Sequence, residues 1–213
     1  SVPNFDYAMA EGVKKTYRKQ YFRALTQYIE VRFDMSASDA AALTAAIKEA
    51  LGTDVTMHTA EAYAEKLRAF LPRHQAENGF QIITGDAARA AAEYAAKTAY
   101  KETDAATYQA MEALVHNLNT MNSRAGAQVP FSSLNYGTDT SPEGRMAVHN
   151  LLRATEAGLG DGETPIFPVQ IFKVKEGVNY NEGDPNYDLF RHALRCSAKR
   201  LFPNFSFLDA PFN

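Results

Sequence analysis

The sequence predicts a helix-rich α/β protein in which an N-terminal helical region is followed by a β-α-β-α-β region. Two observations carry this prediction. Residues 1–120 contain two of the nine prolines and four of the twelve glycines, whereas residues 121–213 contain seven and eight. Apolar residues recur at helical spacing in the first part, and short apolar runs between glycines and prolines dominate the second. We therefore divide the chain into a helical region, 1–120, and an α/β region, 121–213.

Composition limits the classes of function. The net charge is −3, from 22 basic and 25 acidic residues, which argues against a general nucleic-acid surface. No apolar run approaches the ~20 residues of a membrane span, and no signal peptide is visible. The single cysteine, Cys196, has no partner for an internal disulfide, as is typical of a reducing compartment. These features predict a cytoplasmic protein that binds neither nucleic acid nor membrane.

The helical region is predicted to contain five helices. They are expected over residues 5–33, from Ser36 or Ser38 to 51, over 59–71 with a stop at Pro72, over 86–100, and from Thr103 or Asp104 to about 118. Residues 74–85 are ambiguous between strand and loop. The first helix carries an apolar stripe with helical spacing, formed by Tyr17, Tyr21, Phe22, Leu25, Tyr28 and Ile29.

The second part of the chain is predicted to alternate strands with helices. Strands are expected over residues 128–135, 166–174 and 205–209. One helix is expected to start at Ser141-Pro142 and to end at Gly158 and Gly160. The other is expected to start at Asp184-Pro185 and to end before Pro203. Their predicted buried faces are Val148, Leu151, Leu152, Thr155 and Leu159, and Phe190, Ala193, Leu194, Ser197 and Leu201. Two consecutive β-α-β units imply a parallel sheet.

Long runs of this sequence resemble one enzyme family. The runs are SRAGAQVPFSSLNYGTDTSPEGR, GETPIFPVQIFKVKEGVNYNEGDPNYDLF, SAKRLFPNFSFLDAPFN and, near the start, PNFDYAMAEGVKKTYRKQYF. They are similar to the anaerobic (class III) ribonucleoside-triphosphate reductases, which are glycyl-radical enzymes. Residues 34–101 are less distinctive. The family enzymes are several times longer, so the resemblance implies an internal piece of the large catalytic subunit that includes part of its α/β barrel.

The resemblance implies an activity for the complete enzyme, the radical reduction of ribonucleotides to deoxyribonucleotides. It also implies a ribonucleoside triphosphate substrate, dNTP and ATP effectors, a homodimer, a structural zinc, and a glycyl radical installed by an iron-sulfur, S-adenosylmethionine-dependent (radical-SAM) activating protein. The family's radical residues and zinc ligands have no counterpart in this chain, so we expect no catalytic or metal residue here. Cys196 is expected to be a small core residue of a helix. The chain alone is expected to reduce no ribonucleotide.

Residues 119–128 form the main candidate for ligand binding. Taken alone, this polar segment is either a connector or a ligand-facing loop. In the wider reductase family, the loop at this place in the chain lies between the substrate base and an allosteric nucleotide. The resemblance therefore implies substrate and effector contacts at Asn119, Ser123, Arg124, Ala125, Gly126 and Gln128. Arg124 is suited to stack on a base or bind a phosphate.

A second candidate is a basic cluster in the first helix, formed by Lys14, Lys15, Arg18 and Lys19. The commoner meaning of such a cluster is a solvated helix face. The resemblance instead implies contacts with effector phosphates at Lys14, Lys15 and Lys19, in a region that the family uses for dimer contacts.

Two other functions remain open. The chain is alternatively an independent nucleotide-binding or dimerisation module without enzymatic activity. A third hypothesis is a related glycyl-radical enzyme of the formate-lyase type. The run SRAGAQVPFSS argues against it.

Overall fold

The computed structural model describes residues 1–78, 82–121 and 129–211. Over these residues the chain forms six helices and three strands, and this confirms the predicted helix-rich α/β class. The elements are α1 Phe5–Arg32, α2 Ala37–Leu51, α3 Ala60–Glu77, α4 Gly85–Thr120, β1 Ser133–Tyr136, α5 Pro142–Ala157, β2 Val169–Val174, α6 Tyr187–Arg200 and β3 Asn204–Phe207. Within the described residues, every helix is too short or too polar to cross a bilayer.

The chain divides into two compact units. The helical unit comprises Lys14–Thr103, and the α/β unit comprises Ser1–Val13 and Asp104–Asn213. This division differs from the predicted boundary at residue 120. The difference arises because both the N-terminal segment and the end of α4 bond to the α/β unit: Val2 pairs with Leu134, and the Asn119 side chain bonds to Phe167.

The core of the helical unit is built around the predicted stripe of α1. Tyr17, Tyr21, Leu25 and Ile29 are each 2% exposed or less. The ring of Tyr21 meets the ring of Tyr63 from α3 edge-on, with centroids 5.7 Å apart. Edge-to-face aromatic pairs add to the stabilisation from apolar burial, so this cluster ties α1 firmly to α3.

Helix α3 does not stop at Pro72, as predicted, but continues to Glu77. An internal proline removes one backbone hydrogen bond and crowds the preceding turn. The continuation is stabilised by burial on both sides of the proline, because Leu67, Leu71 and Gln75 lie on one face and are each at most 3% exposed. Residues 82–84, which follow, are not a strand. Residues 79–81 lie outside the described structure.

Helix α4 is a single helix of 36 residues, whereas two helices were predicted. Neither Thr103 nor Asp104 caps a new helix. Between Asp86 and Thr120 the sequence has no glycine or proline to interrupt the helical hydrogen bonds. The Asp104 carboxylate instead accepts a hydrogen bond from the side chain of Asn150, at 2.8 Å.

The three strands form a parallel sheet in the order β1-β2-β3, as the two β-α-β units predict. Ser133 of β1 is opposite Val169 of β2, and Ile171 of β2 is opposite Asn204 of β3. The central strand alternates half-buried and buried residues. The described sheet is small and open, so membership of a larger barrel remains a proposal.

The strands β1 and β2 begin later than predicted. β2 begins at Val169 rather than at residue 166. The backbone N–H groups of Ile166 and Phe167 donate to Asn119 Oδ1, and Pro168 has no N–H to offer. These three residues therefore cannot extend the sheet. β1 begins at Ser133, and residues 129–132 precede it without strand structure.

Helix α5 begins as predicted. The Ser141 side chain accepts a hydrogen bond from the Gly144 N–H, and Pro142 occupies the first turn. Gly158, at φ 88°, ends the helix.

Helix α6 begins at Tyr187, three residues after the predicted start. Its predicted buried face is correct only in part: Ala193 is 0% exposed, whereas Leu194 and Leu201 are 45% and 80% exposed. The buried residues are Leu189, His192, Ala193 and Cys196, which follow the spacing of three and four expected for a single face. The Leu201 position was wrong because this residue ends the helix in the left-handed conformation.

A buried hydrogen-bond chain crosses the α/β unit. The Tyr136 hydroxyl of β1 donates to Gln170 Oε1 of β2 at 2.7 Å. Gln170 Nε2 donates to Thr155 Oγ1 of α5 at 2.8 Å, and this hydroxyl donates to the Leu151 carbonyl. The side chains of Tyr136, Gln170 and Thr155 are at most 1% exposed. The hydrogen bonds that join them offset the cost of burying their polar groups.

Candidate functional site

A basic groove lies in the helical unit, with a volume of about 420 Å³. Four of its cations come from α1, where spacings of three and four residues place them on one face. Lys48 of α2 and Thr53, just beyond that helix, complete the opposite side. The lining residues are Lys15, Arg18, Lys19, Phe22, Arg23, Thr26, Lys48 and Thr53. Five of these eight side chains are cationic and none is acidic, so the groove attracts anions.

Acidic residues neutralise the groove only in part. Arg18 contacts Asp54 at 3.0 Å, but the Asp54 side chain is 87% exposed, and such exposed pairs are weak. Arg23 and Glu102 are 3.9 Å apart. Lys15 and Lys19 have no ion-pair partner within the described part of the chain.

One further feature of the groove suits a phosphate-bearing ligand. Lys48 Nζ lies 4.8 Å from the centre of the Phe22 ring, a cation–π contact that holds the ammonium group at the rim. The groove therefore combines lysines without ion-pair partners among the described residues and an aromatic surface.

The predicted lysines are only partly brought together. Lys15 and Lys19 line the groove, and Lys14 does not. Arg23 and Lys48 were not predicted as site residues. Arg23 follows Lys19 by four residues, so its position on the same face was available from the helical spacing. Lys48 reaches the groove through the packing of α2 on α1, which no local pattern reveals.

The side chain of Asn119 joins two segments of the α/β unit by hydrogen bonds. Its side-chain amide donates to the carbonyls of Val115, at 2.6 Å, and Phe167, at 2.5 Å. Its Oδ1 accepts from the N–H groups of Ile166 and Phe167, at 2.8 and 3.0 Å. Asn119 thus fastens the end of α4 to the segment that enters β2. The other predicted loop residues, Ser123, Arg124, Ala125, Gly126 and Gln128, lie outside the described residues.

Metal ligation has no candidate in the described residues, which contain no group of three or more histidine, cysteine, aspartate or glutamate side chains placed to hold an ion. Cys196 is fully buried, which confirms its predicted place in the core. Burial raises the pKa of the Cys196 thiol to about 11. The thiol is therefore protonated at neutral pH and lacks the thiolate needed for ligation or nucleophilic attack.

Two of the five histidines lie next to each other, and their surroundings predict that the stability of the α/β unit depends on pH. The rings of His149 and His192 are 5.2 Å apart, and His192 Nε2 lies 3.3 Å from Glu156 Oε2. Burial lowers the pKa of both rings, and the neighbouring histidine lowers that of His149 further, while Glu156 partly opposes the shift at His192.

We expect the free energy of unfolding to decrease as pH falls below about 6.5, because the unfolded chain then binds more protons than the folded chain. The loss has an upper limit of about 1.4 kcal/mol per pH unit for each proton. Urea unfolding of the wild type and of His149→Gln/His192→Gln at pH 7.5 and 5.5 measures it. Equal pH slopes for the two proteins would contradict this assignment.

Comparison with known proteins decides the family. The sequence pattern that defines the family described as anaerobic ribonucleoside-triphosphate reductase matches residues 1–213, the whole chain. The chain belongs to the anaerobic ribonucleoside-triphosphate reductase family. The resemblance seen in the sequence is thereby confirmed.

Curated relatives in the family are much longer than this chain. The anaerobic ribonucleoside-triphosphate reductase of Escherichia coli is 39% identical over 98 residues, which are 46% of this chain and 14% of that protein. The Salmonella typhimurium enzyme of the same name is 37% identical over 107 residues, or 50% and 15%. The enzyme of Enterobacteria phage T4 is 41% identical over 107 residues, or 50% and 18%. The chain therefore spans a minor part of the length of the relatives it matches.

The structural zinc associated with this family does not fit the residues present. A site of four thiolates needs four cysteines, and the chain has one, whose thiol is buried and protonated. This chain therefore cannot supply a zinc site of four thiolates.

Proposed function

We propose that the full-length protein reduces ribonucleoside triphosphates to deoxyribonucleotides by glycyl-radical chemistry. The match of the family pattern to all 213 residues supports this proposal. The proposed partners are a ribonucleoside triphosphate substrate, dNTP or ATP effectors, a second copy of the protein and a radical-SAM activating protein. The glycyl radical supplies the oxidising centre and is installed outside this chain.

We propose that the helical unit binds the phosphates of an effector nucleotide in the basic groove. The observation that carries this role is the set of five cations around one cavity. Three of them, Lys15, Lys19 and Lys48, lack an acidic partner among the described residues. A triphosphate carries up to four negative charges, and charge-assisted hydrogen bonds to lysine and arginine are its usual recognition in proteins. Phe22 offers an apolar surface beside them.

We propose that the α/β unit supplies part of the barrel scaffold, and that residues 119–128 mediate between effector and substrate. Asn119 supports the scaffold role, since its four hydrogen bonds join the end of α4 to the entrance of β2. Arg124 supplies a charged, planar group within the same segment.

Activity measurements on the full-length protein test this function. With activating protein and reductant, we expect each of the four ribonucleoside triphosphates to yield its deoxyribonucleotide, with effector-dependent preferences. Arg124→Ala should alter those preferences by about tenfold, because one arginine contact is worth roughly 1–3 kcal/mol. If the wild type binds nucleotides but never forms deoxyribonucleotide, the alternative of a nucleotide-binding module without enzymatic activity is correct. If Arg124→Ala lowers the turnover of all four substrates equally and leaves the effector responses unchanged, residues 119–128 are only a connector.

A further inference from the structure

The connection between β1 and α5, residues 137–141, is held by a buried carboxylate from the start of the chain. Asp6 is 1% exposed. Its Oδ2 accepts hydrogen bonds from three consecutive backbone N–H groups, those of Gly137, Thr138 and Asp139, at 2.9, 3.0 and 3.0 Å. Its Oδ1 accepts a fourth, from the N–H of Tyr7. Four donors thus offset the cost of burying the charge.

The carbonyl groups of the same connection are also bound. Asn179 Nδ2 donates to the Gly137 carbonyl at 2.8 Å. Asn186 Nδ2 donates to the carbonyls of Gly137 and Asp139, at 3.1 and 2.8 Å. Both asparagines are 0% exposed. Side chains from distant parts of the chain therefore fix both the donors and the acceptors of this backbone.

The rigidity exceeds what a strand-to-helix turn needs. The Ser141 cap and Pro142 already start α5. Burying a carboxylate and two amides costs desolvation free energy. Each of these groups is tolerated only because hydrogen bonds offset that cost. Supporting networks of this kind hold functional groups in a fixed geometry.

The connection is also in the position where parallel sheets bind ligands. It leaves the carboxyl end of β1, and the segment that carries Asn179 and Asn186 leaves the carboxyl end of the adjacent β2. In α/β folds, including the barrel proposed above, ligands bind at the carboxyl ends of the parallel strands. Within the connection, Thr140 is exposed.

We infer that Asp6 is a positioning residue for the substrate: its buried carboxylate holds residues 137–139 so that the connection, with Thr140 at its exposed face, contacts the ribonucleotide. This inference rests on the proposed function and adds to it a substrate contact at the carboxyl end of β1.

Two variants of the full-length protein test the inference. Asp6→Asn keeps the size of the side chain, but its amide NH₂ must face either Tyr7 N–H or the three N–H groups of the connection. We expect KM for the ribonucleotide to rise about thirtyfold, with kcat changed by less than threefold. Thr140→Ala leaves the network intact, and we expect about a tenfold rise in KM and an unchanged melting temperature. Asp39→Asn, which removes an exposed carboxylate from the helical unit, is the control and should change neither KM nor kcat.

The outcomes separate this inference from the proposed function. If the wild type is active and both Asp6→Asn and Thr140→Ala keep KM within twofold, the inference is overturned and the proposed function stands. If the wild type is inactive but binds radiolabelled ribonucleoside triphosphate, unchanged affinity in both variants overturns the inference, and weaker affinity in both supports it. A wild type that neither binds nor reduces ribonucleotides overturns the two together.

Discussion

Reversing the charge of Lys15 and Lys19 together is expected to weaken nucleotide effector binding by roughly 100-fold. These two lysines line the basic groove without acidic partners among the described residues. Each charge-assisted contact with a phosphate contributes about a factor of ten, and a glutamate at either position adds repulsion. Equilibrium binding of labelled dNTP and ATP to wild type and Lys15→Glu/Lys19→Glu, at low and high salt, measures the effect.

The control reverses two lysines with the same spacing elsewhere in the helical unit. Lys97 and Lys101 lie four residues apart on α4, and both are exposed. Lys97→Glu/Lys101→Glu produces the same change in net charge, so any loss in its affinity reports only long-range electrostatics, which salt screens. Equal losses of nucleotide affinity in the two double variants would show that the groove is not part of the effector site.

Replacing Phe172 by alanine is expected to lower the free energy of unfolding of the chain by about 3–5 kcal/mol, the usual cost of deleting a fully buried phenylalanine. Phe172 is 0% exposed on the central strand. Its ring lies 5.8, 6.0 and 6.1 Å from those of Tyr136, Phe190 and Phe205. The cavity would therefore open between two neighbouring strands and α6.

Urea unfolding of the 213-residue chain, followed by circular dichroism, measures this loss. Phe131→Ala is the matched control, since Phe131 is 86% exposed and surface changes usually stay within about 0.5 kcal/mol. A Phe172→Ala protein as stable as Phe131→Ala would show that the described packing around β2 is incorrect.

Local patterns predicted those parts of the fold that depend on local chemistry. The stripe of α1 follows helical spacing, and the start of α5 follows from the pair Ser141-Pro142. The parallel order of the strands follows from the length of the connections. In each case the determining residues are neighbours in sequence or lie on one helix face.

The parts that were not predicted depend on contacts between distant residues. Asn119 binds the N–H groups of residues 47 and 48 positions later, which shortens β2. Asp6 binds a connection that begins 131 residues away. Lys48 joins the groove only after α2 packs on α1. No periodicity or short motif encodes such pairings, so the groove was recognised only as a cluster on one helix.

The buried chain from Tyr136 through Gln170 to Thr155 has a consequence for how faithfully the sheet assembles. Residues along a strand alternate between its two faces, so a slip of β2 by one residue would turn Gln170 to the opposite face. Tyr136 would then lose its acceptor and Thr155 its donor in a dry interior, where each unmet group costs about 1–3 kcal/mol. An apolar side chain at position 170 would fill the space but would tolerate the slipped arrangement. The polar chain thus discriminates between correct and shifted pairing of strands that are only four to six residues long.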